Sequence, residues 1–224
     1  MKQLPLAIAP PPEAGFDSLM VGSNAQAVQH LRALALPAAP VFLWGPPGSG
    51  KTPLLRALAT QRQLQGERVG WFEAGQALPW SIDERWSLVV LDDCDALDAE
   101  QQRAAFALFV DAGSHAMQWA AAGRTPPVDL RMREDLRTRL AWGHVFALEP
   151  LGEAETRSVL RREADRRGIF LCDEVMDYLL TRFQRDLKHL MGLLDKLDQF
   201  ALAEHRHVTV PLLRKMLAEQ SEPS

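Results

Sequence analysis

The residues best suited to chemistry stand in one run, Gly45-Pro46-Pro47-Gly48-Ser49-Gly50-Lys51-Thr52. The spacing fits G-x-x-x-x-G-K-[ST]. Its glycines let the backbone fold tightly and turn N–H groups toward phosphate oxygens. Lys51 would reach the β- and γ-phosphates of a nucleotide, and the Thr52 hydroxyl would hold Mg²⁺. A helix that starts here adds the positive end of its dipole to the same anion site. Pro53 follows directly. Proline has no N–H to donate, which a first helical turn tolerates, but it restricts the residue before it. The sequence therefore leaves open how well Thr52 presents its hydroxyl.

A second run is Ser87-Leu88-Val89-Val90-Leu91-Asp92-Asp93, an apolar strand that ends in two carboxylates. An apolar run before an acid is a weak signal alone, and Asp93 could simply cap a helix. About forty residues after a phosphate loop it reads as a Walker B strand. Asp92 then helps to hold Mg²⁺, and Asp93 orients or deprotonates water. The nucleotide contacts expected from both runs are Gly45, Pro46, Pro47, Gly48, Ser49, Gly50, Lys51, Thr52, Pro53 and Asp92.

Elements must position these groups. Val41–Trp44 reads as a buried strand and Leu54–Ala59 as a helix, which gives the strand–loop–helix setting that the loop requires. A helix is expected from Ser23 to Leu36, capped by Ser23 or Asn24 and ended by Pro37 and Pro40. Val69–Glu73, Met117–Ala122 and Val145–Leu148 read as further strands, and Glu100–Gly113 as a helix. No element is assigned to Leu78–Trp86. Strands alternating with helices predict an α/β fold, a P-loop core with a parallel sheet and helices on both faces; ligands then sit at the carboxyl ends of the strands. After Leu151 the strand signal stops. Helices are expected at Glu153–Arg167, ended by Gly168, at Glu174–Phe183 with Asp173 as cap, from Arg185 onward, and at Leu212–Glu219. They would form a small all-helical lid. The expected organisation is a tail at 1–12, an α/β core at 13–150 and the lid at 151–224.

Composition bounds the function. The 224 residues are 47% hydrophobic, with a net charge of −4. That balance argues against a protein that coats nucleic acid non-specifically. No apolar run is long enough for a membrane span and no signal peptide opens the chain. Two cysteines, Cys94 and Cys172, make no disulfide framework, so a reducing cytoplasm is expected. Cys94 reads as a buried small hydrophobe, His205 and His207 as a solvated pair, and the six tryptophans as packing or partner contacts. In the tail, Gln3-Leu4-Pro5-Leu6-Ala7-Ile8 is too apolar for a linker. On pattern alone it could dock on a partner in extended form or pack on its own domain.

A parallel core, a helical lid and both Walker stretches resemble an AAA+ protein. Phe16-Asp17-Ser18-Leu19-Met20-Val21-Gly22 resembles the opening segment of the initiator DnaA. Leu136-Arg137-Thr138-Arg139-Leu140-Ala141-Trp142-Gly143 resembles its Box VII, which carries an arginine finger. Phe183-Gln184-Arg185-Asp186-Leu187-Lys188 resembles its sensor 2 segment. The likeness runs from about Phe16 to Ala218, and the tail is similar to the peptide that binds the sliding clamp. A DnaA-like module with a clamp motif in front and no DNA-binding domain expected behind resembles the Hda family, regulatory inactivators of DnaA.

The resemblance implies a negative regulator of replication initiation. Gln3, Leu4, Leu6 and Ile8 would bind the clamp, the β subunit of DNA polymerase III. Arg139 would act in trans on DnaA-bound ATP, and Arg185 would contact the chain's own ADP or ATP. Read without the family, Arg139 is a surface ion-pair residue and Arg185 a capping or intra-lid ion-pair residue. The resemblance implies weak ATPase activity at most, no direct sequence-specific DNA binding and a possible homo-oligomer. One departure stands out: Gly123 falls where the family places the polar sensor 1 residue, ahead of Arg124-Thr125-Pro126, which puts self-hydrolysis in doubt. The competing readings are an autonomous AAA+ ATPase such as a helicase loader, and a P-loop kinase, against which the lid and the Box VII segment speak.

Overall fold

The computed structural model describes residues 15–35, 38–183, 187–204 and 206–221. The described residues fall into two compact units. One runs to Gly45 and again from Gly50 to Leu148; the other takes Glu149 onward together with Pro46–Ser49.

The first unit is built on five parallel strands: β1 (Val41–Trp44), β2 (Arg68–Glu73), β3 (Trp86–Asp92), β4 (Gln118–Gly123) and β5 (His144–Ala147). Their order across the sheet is β2-β3-β4-β1-β5. The central strands are apolar because both their faces are covered. Alternate residues feed alternate faces, as a two-residue period requires. Val41, Leu43, Leu88, Val90, Ala120 and Ala122 enter one core, with Leu54, Leu55 and Leu58. Phe42, Val89, Leu91, Trp119 and Ala121 enter the other, with Leu108, Phe109, Leu136 and Leu140. The helices that supply those partners are α1 (Ala25–Arg32) and α2 (Lys51–Leu64) on the first face, and α3 (Ala99–Ser114) and α4 (Glu134–Leu140) on the second.

Several local expectations shift. The first helix is shorter than its pattern suggested: a 3₁₀ turn covers Gly22–Asn24, α1 occupies Ala25–Arg32, and Pro37 lies outside the described residues. Asp93 does not cap a helix with its side chain. It stands in the left-handed region at φ 46° before a 3₁₀ turn at Cys94–Ala96. The cap of α3 is Asp98, whose carboxylate accepts from the Glu100 and Gln101 N–H groups while Gln101 returns its side chain to the Asp98 N–H. The unassigned stretch before β3 contributes Trp80 and Ile82 to the second core, and Trp86 lies over Gly70, where a Cβ would come within 2.5 Å of its ring.

The second unit holds α5 (Glu153–Arg166), α6 (Asp173–Arg182), α7 (Leu187–Glu204) and α8 (Val210–Ser221). Their apolar faces close on one another through Leu160, Met176, Leu179, Leu190, Leu194, Leu197 and Leu213. Gly168 ends α5 at φ 72°, the left-handed conformation that glycine adopts freely. Asp173 is the first residue of α6 rather than its cap; Cys172 precedes it there, and Asp173 pairs with Arg161. Among the described residues no helix is long and apolar enough to cross a membrane.

Candidate functional site

The loop leaves β1 at Gly45 (φ 156°), passes Gly48 (φ 80°) and reaches Gly50 (φ 93°), which stands at the start of α2. A Cβ on Gly50 would meet nothing within 4 Å, so its φ alone asks for glycine. The first bond of α2 runs from the Leu54 N–H to the Gly50 carbonyl. Pro53 is therefore one residue short of the first position that must donate, and the helix loses nothing by it. The Thr52 hydroxyl, whose orientation the sequence left open, lies close to the Asp92 carboxylate and helps to hold its pKa down.

Lys51 is buried, and its ammonium donates to the Gly45 carbonyl at 2.8 Å. Burial pulls its pKa down; the charges of Asp93, Asp92 and Asp95 pull it back up, and Arg124 opposes them. Asp92 is buried at the end of β3. Burial raises its pKa, the Thr52 hydrogen bond lowers it, and the charge of Asp93 raises it again. The Asp93 N–H donates to Asp92 Oδ1 at 3.0 Å. Ser49 is 4% exposed, and its Oγ has no hydrogen-bond partner among the described residues. A desolvated ammonium, an unsatisfied buried hydroxyl and a hydroxyl–carboxylate pair at a helix start fit a phosphate group with a divalent cation.

Gly123 ends β4 beside the loop, and its carbonyl accepts the Gly45 N–H at 3.3 Å. A Cβ there would stand 3.1 Å from both Cys94 Sγ and Phe42 Cζ and 3.4 Å from Asp95 Oδ1. A side chain there would need those neighbours to give way by a few tenths of an ångström. Cys94 itself is fully buried, and burial pushes its thiol well up, so it packs and does not attack. Sequence reasoning missed the pair next to it: Asp95 accepts the Arg124 N–H at 3.0 Å and meets Arg124 Nε at 3.2 Å. Asp95 lies three residues past Asp92, a spacing that could have signalled a shared rim.

Arg139 sits near the end of α4, a helix that the sequence reading did not assign although Leu136 and Leu140 stand one turn apart. Those two leucines are buried against the sheet and Arg139 is exposed. Its guanidinium lies 5.9 Å from the ring centroid of Phe109 on α3, a contact that no sequence pattern marked. Trp142 beyond it is 64% exposed. Gly143 has φ 136°, and a Cβ there would strike the Pro40 carbonyl, which also accepts the His144 N–H. Arg185 and the tail residues Gln3, Leu4, Leu6 and Ile8 lie outside the described residues.

Five parallel strands with a phosphate loop after β1, paired carboxylates at the end of β3 and a helical unit later in the chain define the AAA+ class. A family profile described as "Hda, lid domain" matches residues 153–217. A Haemophilus influenzae protein, named only as uncharacterized, is 30% identical over 227 residues, covering 96% of this chain and 98% of that one. Domain III of the Thermotoga maritima replication initiation protein DnaA has the same fold, with a TM-score of 0.77 at 19% identity over 95% of this chain and 99% of that one. AMPPCP-bound DnaA from Aquifex aeolicus is similar with a TM-score of 0.69 at 23% identity, over 94% of this chain and 70% of that one. The chain has the DnaA-like AAA+ fold and is Hda-like in its lid, residues 153–217.

Proposed function

We propose that this chain is a nucleotide-bound regulator of replication initiation that promotes hydrolysis of ATP held by DnaA. The observation that carries the reading is the Hda-type lid at 153–217 on a DnaA-type fold. The fold alone would suit many AAA+ activities; the lid narrows them. In this reading residues 1–12 bind the sliding clamp, 13–150 form the nucleotide-binding core and 151–224 the lid.

Gly45 through Pro53 hold the phosphates of ADP or ATP, with Arg185 as a contact from the lid, and Thr52 and Asp92 hold Mg²⁺. What supports this is the Thr52 hydroxyl beside Asp92, the buried Lys51 and the unsatisfied Ser49 hydroxyl. Mg²⁺ bound there would neutralise phosphate charge. Asp93 adjoins it as the residue for orienting water. Its presence also supports the second reading, an autonomous ATPase; Gly123, with no side chain to offer, weakens it.

Arg139 is the residue proposed to act on DnaA. An arginine set against another subunit's terminal phosphate stabilises developing charge, an effect worth about 10³–10⁵ in rate. Exposure of Arg139 on a helix anchored by Leu136 and Leu140 supports that role. The test is single-turnover hydrolysis of ATP pre-bound to DnaA, with clamp-loaded DNA and either this protein or Arg139→Ala. Stimulation that requires the clamp and falls about 10³-fold or to background in Arg139→Ala is expected. Equal stimulation by the variant would remove Arg139 from the reaction. No stimulation by folded, clamp-bound protein would leave the autonomous ATPase, detectable as basal turnover lost in Asp93→Asn.

A further inference from the structure

Three carboxylates, Asp92, Asp93 and Asp95, crowd the end of β3, beside a loop shaped for an anion. Such a rim repels phosphate unless cations answer it. Lys51 is one cation. Arg124 is a second: it follows Gly123, whose carbonyl takes the Gly45 N–H, so it leaves the sheet next to the first residue of the loop. Asp95 holds it twice, by the backbone N–H at 3.0 Å and by Nε at 3.2 Å. The Asp95 side chain is 20% exposed and that of Arg124 61%, so the acid is fixed in the rim while the guanidinium faces water. Nε is the guanidinium nitrogen that Asp95 engages; the two terminal nitrogens remain as possible donors to an oxyanion.

We propose that Asp95 and Arg124 form a charge clasp that sets how strongly this site prefers a nucleoside triphosphate to the diphosphate. This rests on the reading that the loop binds a nucleotide. In the clasped pair each charge cancels the other, and the rim is nearly indifferent to the terminal phosphate. Lys51, the group that addresses the terminal phosphates in this loop, lies in the field of both members. A triphosphate carries one more negative charge than a diphosphate, so a change in the clasp is felt by the triphosphate first. Releasing Arg124 from Asp95 favours the triphosphate. Removing Arg124 leaves Asp95 bare and disfavours it.

The test is titration of the full chain with fluorescent ADP and with a fluorescent non-hydrolysable ATP analogue, both with Mg²⁺. Asp95→Asn keeps an acceptor for the Arg124 N–H and removes the charge. It is expected to raise the triphosphate-to-diphosphate affinity ratio about tenfold, the scale of one charge-assisted contact. Arg124→Met is expected to lower the ratio by a similar factor, and Asp95→Asn with Arg124→Met to cancel the rise. Should Asp95→Asn fail to fold, Arg124→Met decides alone, since an unchanged ratio in that exposed variant overturns the clasp. A rise that survives in the double variant, or variants that change both affinities alike, overturns the clasp and leaves the nucleotide site standing. A wild-type chain that binds neither nucleotide, with Lys51→Ala no different, overturns both.

Discussion

His30 shows how one side chain ties stability to pH. It lies on α1 with its ring 4.3 Å from that of His144 on β5 and 5.0 Å from that of Phe146. Its Nε2 is buried and has no hydrogen-bond partner among the described residues. Burial lowers its pKa, and the neighbouring His144 lowers it further. The folded value lies below the unfolded one, so the neutral ring is favoured in the fold. The contribution is complete above about pH 6.5, the ordinary histidine value, and is lost as pH falls toward the folded value. His30→Phe keeps a flat ring against Phe146 and cannot take up a proton. In thermal or urea unfolding at pH 7.5 and pH 5.5, the variant is expected to lose less stability on acidification than the wild type. An equal loss in both would assign the acid sensitivity to other groups. The same pair also shows what a sequence hides: residues 30 and 144 meet only because β5 lies at the edge of the sheet beside β1.

At the scale of elements, what could be read in the sequence was what lies close along the chain. The strand–loop–helix run at Val41–Leu64 and the apolar strand ending at Asp92 are continuous patterns, and each appears where its pattern stands. The sheet and lid helices followed from the same periodicities. What escaped was short or needed partners from elsewhere. α4 has seven residues, too few for a helical period to stand out, and its fixing depends on Leu136 and Leu140 reaching the α3 side of the sheet. The Asp95–Arg124 pair joins the ends of two strands 29 positions apart, and the Arg139–Phe109 contact joins two helices. Pro53 is a case where local rules set out the question and the structure answered it. At this place in the first turn of α2 proline costs no hydrogen bond, while it narrows the unfolded chain. Pro53→Ala is therefore expected to lower stability by about 0.4–1 kcal/mol in denaturant unfolding. Because the Thr52 hydroxyl already meets Asp92, nucleotide affinity is expected to stay the same. A variant more stable than wild type would mean that Pro53 strains the helix start.

At the scale of the whole molecule, the cores on the two faces of the sheet draw on residues up to Leu148, whereas the lid core draws only on Leu160 and beyond. Among the described residues no buried residue belongs to both sets. Helices that own their core can unfold locally without breaking the sheet. Leu194, fully buried on α7, tests this. Truncating a buried leucine to alanine costs about 2–5 kcal/mol, because the lost contacts leave a cavity that closes only in part. That is a large share of the 5–15 kcal/mol that holds a typical domain together. In Leu194→Ala, amide exchange in α6, α7 and α8 is expected to speed up by roughly 30-fold or more, the factor that corresponds to the lower end of that range. The amides of Val89, Val90 and Leu91 in β3 are expected to keep their protection. Equal acceleration in β3 would mean that the chain opens as one cooperative body, and that the division of its cores has no energetic counterpart. Acceleration confined to the lid helices would show that their core opens at lower cost than the sheet.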